Sequence, residues 1–341
     1  MARNMIGRKL ALTLLIGASL CVASLAHADD VQKRTIRWGH LLNKDHPLSA
    51  GVQKFAELAA KKSGGKFKVR EFPSSQLGSE LQQQSALQGG SQEMMSAATS
   101  TLAGIVPEYG ILDFPFIFAN EEEADKLLDG KVGNMLGQKL AKHGLIGLGF
   151  WENGFRNVTN SRRPITKPED LSGLKIRVMP NPVYLQTFQA VNANPIPLAF
   201  SELFTALETG AVDAQENPYA IILSNRFNEV QKYLSVTNHT YNAFAVIVSK
   251  VFWDKLSPAE QRILQESAVE ARAYQREVSR KASRAALDEL KQKGMEMNTL
   301  EKEQLVRMRE ITQPVIDKFA ASYDQELVKA FYAEVEKIRG N

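Results

Sequence analysis

The chain has 341 residues, with 42 Lys+Arg against 38 Asp+Glu and one cysteine, Cys21. A formal charge of +4 is too small a basic excess to neutralise a phosphate backbone, which excludes a nucleic-acid partner. A lone cysteine excludes an internal disulfide and a cysteine-built metal site, and the length favours two domains over one.

Arg3, Arg8 and Lys9 open the chain without an acid, a nearly unbroken apolar run extends from Leu10 to Leu25, and Ala26-His27-Ala28 closes it. That order predicts a secretory signal peptide over 1–28, cleaved after Ala28, and a mature monomer beginning at Asp29 in the periplasm. A retained transmembrane helix is the weaker reading: Asp29, Asp30, Lys33 and Arg34 follow at once, and spanning needs about 20 apolar residues. Leu20 stands before Cys21 where a lipid anchor needs a small residue. The signal carries three of the positives, so 39 basic residues face 38 acidic ones in the mature chain, which keeps no cysteine.

Thr35 to Gly39 reads as a first strand, and Leu48 to Lys62 as a helix with Val52, Phe55, Leu58 and Ala59 on one face. Phe67, Val69 and Glu71 alternate with Lys68 and Arg70 in a second strand that Pro73 stops. Strand, helix, strand, helix points to α/β layers. Leu145 to Trp151 reads as a strand followed by a turn at Glu152-Asn153-Gly154-Phe155, which leaves Arg156 at a strand end. A second α/β unit follows: a strand from Leu174 to Val178, a helix carrying Tyr184, Phe188 and Val191, and a strand from Ile196 to Leu198. Next comes a helix capped by Ser201 that runs through Glu208 to Gly210.

The units echo one another. Leu87-Gln88-Gly89-Gly90-Ser91-Gln92-Glu93-Met94 lies over Leu207-Glu208-Thr209-Gly210-Ala211-Val212-Asp213-Ala214, with Leu, then Gly three on, then an acid six on. Two similar lobes facing one another make a cleft. Ser257-Pro258-Ala259-Glu260 is a capping box, and no proline or glycine interrupts Ala259 to Lys293. The predicted helix is roughly 54 Å long, more than one lobe needs. Its apolar positions Ile263, Ala271, Tyr274, Val278, Ala285 and Leu290 drift around the surface, so it reads as a spine across both lobes and not as a coiled coil.

Catalytic signatures are missing from the sequence: it has no G-x-S-x-G and no H-E-x-x-H. His40, His46, His143 and His239 offer no standard ligand spacing, so no metal, cofactor or catalytic residue is assigned. Arg177 in Leu174-Lys175-Ile176-Arg177-Val178 is either a surface arginine or, at the carboxyl end of a strand, a fork for a carboxylate in an open-sheet crevice. Arg156 carries the same two readings. Asn217 before Pro218 is a helix-entry residue or a ligand amide, and Asp113-Phe114-Pro115-Phe116-Ile117-Phe118 is core or the wall of an organic-ligand pocket.

Gly173 to Val178, Ala193 to Leu203 and Ala206 to Pro218 together resemble the solute-binding receptors of tripartite ATP-independent periplasmic (TRAP) transporters, dicarboxylate-receptor family. Pro73-Ser74-Ser75-Gln76-Leu77-Gly78, Phe114-Pro115-Phe116, Glu229 to Tyr233 and Thr237-Asn238-His239 extend the resemblance, which runs from about Thr35 to at least Lys293. It implies a two-lobed α/β periplasmic-binding-protein-like fold with a central cleft, crossing strands and a long helix spanning both lobes. The lobes are expected at 29–153 plus 243–282 and at 154–242 plus 283–341. The resemblance further implies capture of a small-molecule carboxylate and its delivery to the small and large membrane subunits of a sodium-coupled TRAP permease. It places the ligand carboxylate on Arg177 and further contacts on Arg156 and Asn217. His40, Glu80 and Thr99 fall where the other lobe usually reads hydroxyls, and Ala98 stands where sialic-acid receptors have a glutamate. An acid at Glu80 repels a second carboxylate and accepts from sugar hydroxyls, so the expected ligand is a sugar acid, uronate or aldonate. A C4-dicarboxylate or 2-keto acid is the alternative within the class, and a periplasmic enzyme on a two-lobed scaffold the alternative outside it.

Overall fold

The computed structural model describes residues 31–340, so the signal peptide expected over 1–28 lies outside the described residues. Nine strands form one mixed sheet among the described residues: β1 Arg34–Gly39, β2 Phe67–Phe72, β3 Met94–Ala98, β4 Leu145–Asn160, β5 Lys175–Val178, β6 Asn194–Pro197, β7 Ala214–Asn217, β8 Tyr233–Ser249 and β9 Glu296–Thr299. Their order is β2-β1-β3-β8-β4-β7-β5-β6, with β9 joined to β8. The helices are α1 Pro47–Lys62, α2 Glu80–Gln88, α3 Thr99–Leu102, α4 Glu121–Leu128, α5 Lys131–Ala141, α6 Pro182–Ala190, α7 Leu203–Glu208, α8 Tyr219–Ser224, α9 Lys250–Trp253, α10 Pro258–Gln292, α11 Lys302–Ser322 and α12 Gln325–Arg339.

The strand order has approximate two-fold symmetry. β1 lies between parallel neighbours β2 and β3, as β5 lies between β6 and β7. The long antiparallel pair β4–β8 joins the halves. β3 runs Met94 to Ala98 against Val248 to Phe244, and β7 runs Ala214 to Asn217 against Asn160 to Asn157. Both therefore travel from an end of the β4–β8 ladder toward its middle, and the carboxyl ends of the two halves meet there. In open α/β sheets that is where ligands bind.

The sequence echo is a structural one. Gly90 and Gly210 both leave their helices at positive φ, and each donates to the leucine three residues back, Leu87 or Leu207. The acid three further on serves the neighbouring strand in each half. The Glu93 carboxylate accepts from the Arg37 N–H, and that of Asp213 from the Lys175 N–H.

Three local expectations change. Glu152 to Phe155 is no turn, because β4 continues through it to Asn160 with register shifts between Glu152 and Gly154 and between Arg156 and Val158. Gly154, at φ 115°, lets the strand bulge and stay paired where Asn-Gly suggested reversal. Arg156 therefore sits inside a crossing strand and not at its end. Ser201 does not cap a helix: Phe200–Glu202 is a 3₁₀ turn without a side-chain cap, and α7 starts at Leu203. The strand expected over 196–198 is β6, Asn194–Pro197.

The spine is α10, with its capping box formed at Ser257 and Glu260. It packs against α1, β4 and α8, so it touches both halves. Of its expected apolar contacts, Ile263, Ala271 and Leu290 are buried, Val278 is half-buried, and Tyr274 and Ala285 face solvent. Polar residues replace them. Gln275 accepts from the Glu152 N–H at 2.8 Å and donates to the Glu152 carbonyl at 2.7 Å, which fastens the bulged strand to the helix. Arg276 and Arg280 reach Asp129 and Asp125, and Arg280 also reaches the Glu152 carboxylate. Phe114 is fully buried against Tyr323 and Phe331, the core reading of that aromatic segment. The last helix, α12, packs on α4 and α5.

Candidate functional site

Where the carboxyl ends of the halves meet, a small cavity opens between β1, β3, β5, β7 and the middle of the β4–β8 ladder. Its polar lining is Glu80, Ser96, Asn153, Arg156, Arg177 and Asn217, and its apolar walls include Met179, Phe200 and Phe244. Polar groups converging between aromatic and aliphatic walls make a small-molecule site.

Arg177 is the third residue of β5, and only 1% of its surface is exposed. Its Nε and Nη2 both donate to the Leu198 carbonyl, at 2.9 and 2.7 Å, while Nη1 has no partner. Burial pulls the guanidinium down to about 10, so it stays cationic at neutral pH. Among the described residues no carboxylate forms a salt bridge with it. The open edge, Nη1–H beside the second N–H of Nη2, is a two-pronged donor that matches a carboxylate.

Arg156 is equally buried but already paired. Its Nε contacts the Glu216 carboxylate, and its Nη2 donates to Glu216 Oε1 at 2.8 Å and to Asn217 Oδ1 at 3.1 Å. Burial opposes ionisation of Glu216, but Arg156, with His239 behind it, holds the carboxyl below its ordinary value. Asn217 donates in turn to Gln215. The two expected arginines therefore differ: among the described residues one is held by a carboxylate and the other forms no salt bridge.

Glu80, the first residue of α2, faces the cavity from the opposite half. Its Oε1 accepts from the Ala98 N–H at 2.7 Å, and burial pushes the carboxyl up to about 7. His40 and Thr99 do not line the cavity. His40 Nε2 lies 2.9 Å from Glu71, which also accepts from Ser49, so the ring is turned toward α1 and β2. Thr99 Oγ1 accepts from Asn242 at 3.3 Å. Of the six candidates, Arg177, Arg156, Asn217 and Glu80 come together.

The sequence reading missed Asn153. Its Nδ2 donates to Asn242 Oδ1 at 2.8 Å, and its Oδ1 is buried without a partner at the cavity wall. Its signal was its place three residues before Arg156, which the supposed turn obscured.

The family model for bacterial extracellular solute-binding proteins, family 7, matches residues 38–322. The 2,3-diketo-L-gulonate-binding periplasmic protein YiaO of Escherichia coli is 38% identical over 283 residues, 82% of this chain and 86% of the relative. The C4-dicarboxylate-binding periplasmic protein DctP of Rhodobacter capsulatus is 34% identical over 322 residues, 94% and 96% of the two chains. The crystal structure of the sugar acid binding protein DctPAm from Advenella mimigardefordensis, in complex with galactonate, is similar at 41% identity and a TM-score of 0.88, covering 90% of this chain and 99% of that one.

Proposed function

The chain belongs to the family 7 bacterial extracellular solute-binding proteins, the receptors of TRAP transporters, and we propose that it captures a sugar acid, an aldonate or uronate, in the cavity between its halves. The observation that carries this reading is Arg177. A buried guanidinium without a carboxylate partner is costly, and its open edge is shaped for one. The ligand carboxylate seats there, while Asn153 Oδ1 and the Glu80 carboxyl meet hydroxyls. Arg156 and Asn217 form the floor, oriented by Glu216. His40 and Thr99 support the wall from behind.

The acid is released unchanged, in the periplasm, to the membrane subunits of a sodium-coupled permease. Residues 29–153 with 243–282 act as one lobe and 154–242 with most of 283–341 as the other; α12, packed on α4 and α5, moves with the first. The bulges in β4 between the halves are the places where closure bends the ladder.

A second reading, a C4-dicarboxylate, is favoured by the Rhodobacter relative and by the second arginine of the cavity. A thermal-shift screen of aldonates, hexuronates, malate, succinate and 2-keto acids separates the two, since a ligand bound only by the folded state raises the melting temperature. Stabilisation by polyhydroxy acids is expected, and a response to succinate or malate alone overturns the sugar-acid reading.

A further inference from the structure

We propose that Glu80 takes up a proton when an acid enters this cavity, so that the receptor captures its ligand together with H⁺ and meets a ligand hydroxyl with a neutral carboxyl. The proposal rests on the receptor reading and specifies the ionic state of that site.

The argument begins with charge. Glu80 is 8% exposed, and among the described residues it takes part in no salt bridge; its resolved hydrogen bond is from the Ala98 N–H. It shares the cavity with Arg177 and Arg156. Facing it are Arg177 on β5 and Arg156 on β4; Glu216 on β7 pairs with Arg156, and His239 on β8 has its Nε2 3.2 Å from Glu216. Tyr184 on α6 is held neutral by burial. Asp113 accepts from Ser100 and Asn181, and His40 is committed to Glu71.

The two arginines and Glu216 leave one positive charge in the wall. A ligand carboxylate on Arg177 cancels it, so an ionised Glu80 then becomes a buried, uncompensated anion facing a second one. Buried charges without partners neutralise instead. Without ligand, burial already raises this carboxyl to about 7, opposed first by the Ala98 N–H, which stays in place, and then by Arg177, with smaller shares from Thr101 and Arg156. The ligand carboxylate offsets the share of Arg177 and adds a second anion, so the carboxyl rises further. Its proton balance is simple: solvent H⁺ adds to Glu80 on capture and returns to solvent on release, with no bond of the ligand changed.

The sign follows. A group raised by binding takes up protons between its free and bound values, so affinity falls as pH climbs through that window. Sugar acids themselves titrate near pH 3–4 and are anionic throughout.

The experiment is calorimetric titration of the full mature chain with galactonate at pH 6.0, 7.0 and 8.5, each in two buffers of different ionisation enthalpy. Uptake of about half a proton at pH 7.0, and an affinity about 30-fold weaker at pH 8.5 than at pH 6.0, are expected. Glu80→Gln keeps an acceptor for the Ala98 N–H and mimics the neutral carboxyl. It should bind with a Kd that changes less than about threefold over the range and, at pH 8.5, more tightly than wild type. Its melting curve reports whether it is folded. Tight wild-type binding with no uptake overturns the proposal, as does undiminished uptake in folded Glu80→Gln, which would move the proton to Asp113. No binding of any acid by wild type at any pH overturns the receptor reading itself.

Discussion

Replacing Arg177 by alanine and by lysine tests the site at its most exposed assumption. The guanidinium has two tasks: Nε and Nη2 satisfy the Leu198 carbonyl, and the remaining edge receives the ligand. Alanine abolishes both. Leaving the ligand carboxylate buried and unpaired costs about 2–5 kcal/mol, or roughly 30- to 5000-fold in affinity. Stripping the Leu198 carbonyl of its donors costs a further 1–3 kcal/mol or so of folding stability, which melting curves report separately. Lysine has one ammonium on a flexible stem and cannot hold the carbonyl and present two parallel donors together. It should therefore recover part of the stability and little of the affinity. Calorimetric titration of both variants with galactonate decides the matter. If both remain folded and bind within twofold of wild type, the reasoning fails and the buried edge of Arg177 has no ligand.

Arg156→Ala should act mainly on stability, because it leaves the buried Glu216 carboxylate with His239 alone beside it; a loss of about 3–5 kcal/mol is expected in urea denaturation. The same pair sets an acid limit. Glu216 is held below its ordinary value, so its contribution is complete above about pH 4.5 and disappears as pH falls through the depressed folded value. Glu216→Gln should show a flatter melting profile below pH 5 than wild type. Gln275→Ala removes both bonds between the spine and the Glu152 backbone and should cost about 1–3 kcal/mol for each backbone group left unpaired, measured by urea denaturation.

The residues that made the fold legible were those whose roles are local. Ser257 and Glu260 complete a capping box within one turn, and the paired Leu–Gly–acid strings carry both the helix exit and the strand entry. The bulged crossing strand was not legible, because Asn153-Gly154 has turn chemistry and only pairing with β8 and the bracket from Gln275 keep it extended. Nor could the helical face of α10 be read from apolar periodicity, since Gln275, Arg276 and Ser279 hold buried places that hydrophobic spacing assigned elsewhere. Arg177 and Arg156 looked alike in sequence. They differ because Glu216, 60 positions beyond Arg156, meets only one of them. His40 was drawn away by Glu71, a residue that the strand pattern showed only as one of an alternating set.

The central claim is that an organic acid bearing hydroxyls binds reversibly between the two halves. Calorimetric titration of the mature chain with galactonate, followed by recovery and mass analysis of the acid, tests it most directly. The account predicts saturation at one molecule per chain, return of the acid chemically unchanged, and no competition from succinate at equal concentration. Absence of binding by galactonate and glucuronate beside saturable binding of succinate, or recovery of a converted product, would contradict it.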